Sequence, residues 1–353
     1  MNRRAFLTTA AAGALSRPGP LGAATRLSKR DRMLQWLAGK TDPGYTPAAF
    51  FLHFGPEYQR GLPAARRHSE FFQTTDMDFV KIQFEQTYER QPFLQTPADW
   101  AKLKLQKLEF YQPLLVTLRE LVRDNKKDAL VLMTLYSPFM SAGQCASAPV
   151  LQRHLEENPT AVEKGFEILT ESQMLFVNAC IKEGVDGFYM STQGSEAKRF
   201  QDPEIFRQHI KPFDLVAMKR AQSSCPFNIL HVCDYHMPYA SYDVVRDYPG
   251  HVVNCNTVLS NRTMPLAEIG QFFGRPVMGG LDRHGLLAQG SKADLEAEVR
   301  RVVKDAPKQL ILGADCTVDS ATDWNRLRDA IAVAHSPQTP KLRAATTSPW
   351  TGA

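Results

Sequence analysis

Residues 226–235 read PFNILHVCDY and place His231 and Cys233 two positions apart at the end of an apolar run. Successive side chains of a β-strand alternate faces, so if the run is a strand the two point the same way. Imidazole nitrogen and thiolate sulfur are two of zinc's preferred ligands. A third soft donor, Cys316, ends another β-rich run, QLILGADC. Three protein ligands leave one coordination position open, the pattern of a catalytic rather than a structural zinc. Two blander readings stand beside this one. A free cysteine packs as a small buried hydrophobe, and Cys225 with Cys233 is a candidate disulfide.

The elements that must position these residues follow from the apolar patterning. SKRDRMLQWLAG (28–39) predicts a first helix with Gly39 as its stop. PAAFFLHFGPEY (47–58) predicts a strand followed by a loop that carries His53 and Tyr58, both candidates for substrate contact. Further strands are expected at 78–84, 129–138, 186–192, 227–233, 251–255, 276–281 and 309–316, and helices at 109–122, 160–184, 203–222, 264–273, 291–304 and 321–335. The helix at 160–184 is opened by Thr160 with Glu163 in capping-box spacing. ALVLMTLYSP is apolar along its whole length, as strands of parallel sheets tend to be.

Eight strands alternating with helices predict an α/β fold, a single (β/α)8 TIM barrel over residues 26–336. The alternative, an open doubly wound sheet, is large for one core, and the sequence carries no glycine-rich dinucleotide fingerprint. Active sites of barrels are built at the C-terminal ends of the strands, where His231, Cys233 and Cys316 all fall. Tyr136, Ser191 and Thr192 lie at the same rim and are candidates for catalysis or substrate hydrogen bonding, with loop capping as the competing role. Asp282, after Gly279-Gly280-Leu281, is a candidate acceptor or a turn residue.

The chain opens MNRRAFLTTAAAGAL, with Arg3-Arg4 ahead of a short, weakly apolar run of small residues. Residues 1–25 are therefore expected to be a twin-arginine-like signal, directing the protein to the periplasm, with a cytoplasmic protein bearing a basic N-terminus as the alternative. Residues 337–353, rich in Ser, Thr and Pro, are expected to be a disordered tail. No apolar run reaches the about 18 residues of a membrane span. Charges are mixed in sign with a net of +5, which gives no basis for nucleic-acid binding. Six cysteines, at 145, 180, 225, 233, 255 and 316, are too sparse for a disulfide-stapled scaffold.

The ordered series DGFYMST, HVCDY, GGLDRHGLLAQGS and ILGADCTVDSATDWNRL resembles the uroporphyrinogen decarboxylase superfamily, which includes methylcobamide:thiol methyltransferases. In the methyltransferase branch the resemblance implies zinc held by His231, Cys233 and Cys316, a thiol substrate, and a corrinoid, or a corrinoid protein as partner, as methyl donor. Zinc lowers the pKa of a thiol while leaving the sulfur nucleophilic. Asp315 is then an outer partner of the site or a helix cap.

The decarboxylase branch works without metal, and its aspartate resembles Glu85. Its arginine-bearing stretch is replaced here by PAAFFLHFGPEY, which has His53 and no arginine, although Arg60, Arg66 and Arg67 follow. A polycarboxylate tetrapyrrole calls for bidentate guanidinium partners that histidine does not replace. The first expectation is thus zinc-dependent methyl transfer to a small thiol. The second is metal-free decarboxylation of a tetrapyrrole or related polycarboxylate through Glu85, and the third an exported barrel that binds a ligand or corrinoid without turnover.

Overall fold

The computed structural model describes residues 27–42 and 44–336. The expected leader, 1–25, and the expected tail, 337–353, lie outside the described residues.

Seven strands form one parallel sheet in sequence order: β1 (Phe79–Ile82), β2 (Leu130–Tyr136), β3 (Gly187–Thr192), β4 (Ile229–Val232), β5 (Val252–Cys255), β6 (Val277–Leu281) and β7 (Leu310–Ala314). Every residue of β1, β3, β4, β5 and β7 is buried, because both faces of the sheet are covered. The helices are α1 (Lys29–Leu37), α2 (Gly61–Thr75), α3 (Leu108–Asn125), α4 (Pro138–Cys145), α5 (Ala148–Glu157), α6 (Pro159–Lys182), α7 (Lys211–Ser224), α8 (Leu266–Phe273), α9 (Lys292–Asp305) and α10 (Trp324–Ala334).

The first expected strand, within PAAFFLHFGPEY (47–58), does not form a regular ladder. Ala48 makes an isolated parallel bridge with Leu312 of β7. On its other side its carbonyl accepts from Asp78 N at the entrance to β1, at 3.0 Å. One segment thus bonds to both edges of the sheet, so the sheet is curled in the manner of a TIM barrel. Asp78 secures this junction: its side chain accepts from Ala48 N at 2.7 Å, from His335 Nε2 at 2.9 Å and from the Tyr45 hydroxyl.

Helix α1 covers the N-terminal end of the sheet. Arg30 Nη2 lies 2.8 Å from the Asp186 carboxylate just ahead of β3, and Gln309, just ahead of β7, donates to the Trp36 carbonyl at 2.8 Å. With that end plugged by Met33 and Trp36, the accessible end is the C-terminal one.

Three helices were not expected from the sequence: α2, α4 and α5. α4 and α5 are inserted after β2 and wall the C-terminal mouth. The cap of α6 also differs from expectation: Asn158, not Thr160, accepts from Ala161 N at 3.1 Å, and Glu163 instead meets His209 Nδ1 at 2.7 Å. The stretch expected as a helix at 203–222 begins with a π-helical turn, Phe206–Ile210, before α7.

Candidate metal centre and substrate cavity

β4 and β7 deliver the three candidate ligands. His231 is inside β4, Cys233 is the first residue beyond it, and Cys316 lies two residues beyond β7. All three are buried, and their ligand atoms lie within 4.8 Å of one another. Cys316 Sγ is 3.4 Å from His231 Nε2 and 3.9 Å from Cys233 Sγ. The alternative reading, a Cys225–Cys233 disulfide, is not seen: both cysteines are free, as are the other four. A tetrahedral zinc with Zn–S of about 2.3 Å and Zn–N of about 2.05 Å requires ligand pairs about 3.8 Å (S–S) and about 3.6 Å (N–S) apart. The two observed separations match those edges, and a disulfide would need about 2.05 Å. His231 Nδ1 is buried without a hydrogen-bond partner, so the imidazole is fixed by stacking on Tyr189, 4.9 Å between ring centroids. Tyr189 is itself tethered by donating to Asn254 Oδ1 at 2.6 Å. The donor set and these two separations fit zinc, with all three ligand atoms gathered within 4.8 Å.

Electrostatics at the pair are asymmetric. The Cys233 thiol is held below its ordinary range, foremost because Cys316 donates to it, with the Gln193 amide adding a 3.2 Å contact. The same hydrogen bond, with burial, pushes the Cys316 thiol well up.

The triad lies in a cavity of about 610 Å³ at the C-terminal end of the sheet, within the usual range for small-molecule sites. Its floor is built by alternation along the strands: Lys81, Thr134, Tyr136, Tyr189, Ser191 and His231 all face in. The outer wall is the apolar side of the inserted helices, Phe139, Met140, Ala148 and Leu151. Lys81 is 6% exposed, lies 4.8 Å from the ring centroids of both Phe51 and Tyr189 and donates to Gln83, and burial lowers its pKa to about 7. Arg199 also lines the cavity, but its guanidinium is held by Glu196 through contacts of 2.7 and 2.9 Å.

Of the residues singled out by sequence, His53, Tyr136, Ser191, His231, Cys233 and Cys316 line this one cavity. Glu85 stands behind His53, its carboxylate 2.7 Å from His53 Nδ1, and is not among the lining residues. Thr192 faces the opposite side of β3 and donates to Asp214 at 2.7 Å, because the pleat turns it away when Ser191 faces in. Tyr58 lies outside, with the Arg67 guanidinium 5.0 Å over its ring. Asp282 is exposed and accepts from His284 N at 2.8 Å, the turn role. Asp315 does not cap the following helix; Asp323 does, and Asp315 pairs with Arg283.

Sequence reasoning missed Lys81, Tyr189, Gln193 and Arg199. The one available signal was Lys81 itself, a charge inside the apolar run DFVKIQF.

A parallel, curled α/β sheet with its polar residues gathered at the strand C-termini defines a TIM-barrel-like chain with a strand-end site. The sequence matches the family described as uroporphyrinogen decarboxylase (URO-D) over residues 75–337, and the chain belongs to that family. Among solved structures it is similar to a methyltransferase from Methanosarcina mazei, with TM-score 0.72 and 13% identity, covering 88% of this chain and 98% of that one. A B12-independent methionine synthase from Shewanella sp. W3-18-1 aligns with TM-score 0.48 and 14% identity, over 83% of this chain and 95% of that one. No curated protein matches in sequence. Among the described residues no helix is long and apolar enough to cross a membrane.

Proposed function

We infer that this chain is an enzyme that moves a methyl group onto a small thiol, with zinc held by His231, Cys233 and Cys316 at the floor of a (β/α)8-type barrel whose eighth position is taken by residues 47–54. The observation that carries the reading is the convergence of three donors of zinc type within 4.8 Å of one another on the floor of a substrate-sized cavity, two of their separations matching tetrahedral edges. When bound, zinc supplies a soft Lewis acid that keeps a thiol deprotonated and nucleophilic at neutral pH.

The protein's own residues do the rest. His231 is aimed by the Tyr189 stack, and Lys81 places a titratable amine in the same cavity, which favours negative charge there. Phe139, Met140 and Leu151 exclude water from the space above the floor, where the methyl donor would approach. In the transfer the thiolate, its proton released to solvent, forms the S–CH3 bond as the donor–CH3 bond breaks with its electron pair staying on the donor. A methyl–corrinoid, free or on a partner protein, fits as donor. A tetrapyrrole polycarboxylate fits poorly, because Arg199 is already engaged by a buried carboxylate. Export by the twin-arginine route, motivated by Arg3-Arg4, remains part of the proposal.

The test is incubation of zinc-loaded protein with methylcobalamin and a panel of small thiols, with mass spectrometry of the thioether. Methylation that disappears in Cys233→Ser is the expected result. No methylation of any thiol, together with turnover of uroporphyrinogen that collapses in Glu85→Gln, would replace this reading with decarboxylation.

A further inference from the structure

The two candidate metal thiolates come from β4 and β7, which are not neighbours: β5 and β6 lie between them in the sheet. No ladder hydrogen bond therefore fixes their separation, and a metal site tolerates little error in it. Each cysteine has an aspartate beside it, in mirrored order: Cys233-Asp234 and Asp315-Cys316. The residues that join these aspartates come from the two intervening strands.

Arg283, two residues beyond β6, places Nη1 3.1 Å from Asp234 Oδ1 and against Asp315 Oδ2, while its backbone N–H donates to Asp315 Oδ1 at 2.7 Å. Asn256, just beyond β5, donates from the same Nδ2 to Asp234 Oδ2 at 2.6 Å and to Asp315 Oδ2 at 3.3 Å. Arg283, Asp234 and Asp315 are each no more than 8% exposed. Pairs at that depth are little screened by salt, and losing the cation would leave two buried carboxylates repelling each other.

We propose that Arg283, seconded by Asn256, is a positioning residue that clamps Asp234 to Asp315 and so sets the Cys233–Cys316 spacing that the metal requires. It touches neither the thiolates nor the cavity; it acts through the two aspartates. The inference rests on the reading of the triad as a zinc site and goes beyond it, because it assigns the geometry of that site to a third and fourth loop.

The experiment measures zinc affinity by chelator competition, and the thiolate-to-metal charge-transfer band after cobalt(II) substitution, in the full chain and its variants. Arg283→Met is expected to weaken zinc about 10- to 100-fold and to shift the cobalt band, the size usual for outer partners of metal ligands. Arg283→Lys, which keeps the charge but not the planar fork, should fall between the two. Where Arg283→Met does not fold, Asn256→Ala removes the second tie without exposing a charge and should weaken zinc in the same direction. Wild-type affinity and spectrum in folded Arg283→Met, or in Asn256→Ala where that variant is the one that folds, overturn the clamp alone. A wild-type chain that binds neither ion overturns the clamp together with the metal reading.

Discussion

At the scale of single residues, the triad was legible because its signal is short-range. His231 and Cys233 share a face by the pleat, and Cys316 ends a run of the same kind. The same rule decides between Ser191 and Thr192: adjacent positions of one strand cannot both face the cavity, and it is Ser191 that does. Thr192 instead serves Asp214, which is buried and also accepts from Tyr248 at 3.1 Å. Burial raises the Asp214 pKa from 3.8 to about 7, against the pull of those hydroxyl donors. In that window the folded protein holds a proton that the unfolded chain has lost, so this group's contribution to stability falls as pH rises from 3.8 to about 7. Asp214→Asn should flatten that fall, by an amount on the order of a few kcal/mol across the window. Urea unfolding of metal-free wild type and variant, compared at acid and at neutral pH, reads the difference. Parallel curves would mean that Asp214 is ionised in the folded state throughout. Lys81 and Arg283 were hidden for opposite reasons. One was absorbed into an apolar run, and the other has partners 49 and 32 residues away that no local pattern connects.

At the scale of elements, seven strands were readable because each is a short apolar run between turn signals. The eighth position was not, because residues 47–54 are as apolar as a strand yet form only one bridge to β7. The missed helices share a cause. α2 buries Ala64, Ala65, His68, Phe71 and Thr75, and α5 buries Leu151, His154 and Leu155, so small and polar residues dilute the helical periodicity. Some of those polar residues bond their own helix, as Thr75 does to the Phe71 carbonyl at 2.7 Å, and others need tertiary partners, as when Trp100 Nε1 donates to His154 Nδ1 at 3.1 Å. The β3–β4 ladder, which places Ser191 beside His231, begins at Tyr189 and Ile229, and two residues before it Gly187 packs against the backbone of Phe227. A Cβ there would lie 1.5 Å from the Phe227 carbonyl oxygen, backbone that has no room to give. Gly187→Ala should cost about 3 kcal/mol or more. Chemical denaturation checks this, and a midpoint within error of wild type would show that β3 and β4 can separate without loss.

At the scale of the whole molecule, the fold divides the work between its two ends. α1 seals the N-terminal end through Arg30, Trp36 and Met33, while the cavity, the triad and the aspartate clamp occupy the C-terminal end. Membership of the uroporphyrinogen decarboxylase family fixes the scaffold, and the reaction is argued from the residues at the mouth. A match in fold at 13% identity cannot transfer a substrate, whereas a buried His/Cys/Cys group gathered within 4.8 Å could hold a metal ion. The central claim is accordingly about metal, and its most direct test is elemental analysis of the purified full chain beside His231→Ala and Cys316→Ser. About one zinc is expected per folded wild-type chain and close to none in either variant. A metal-free wild type that cannot be loaded with zinc, or full zinc retained by both variants, would contradict the claim.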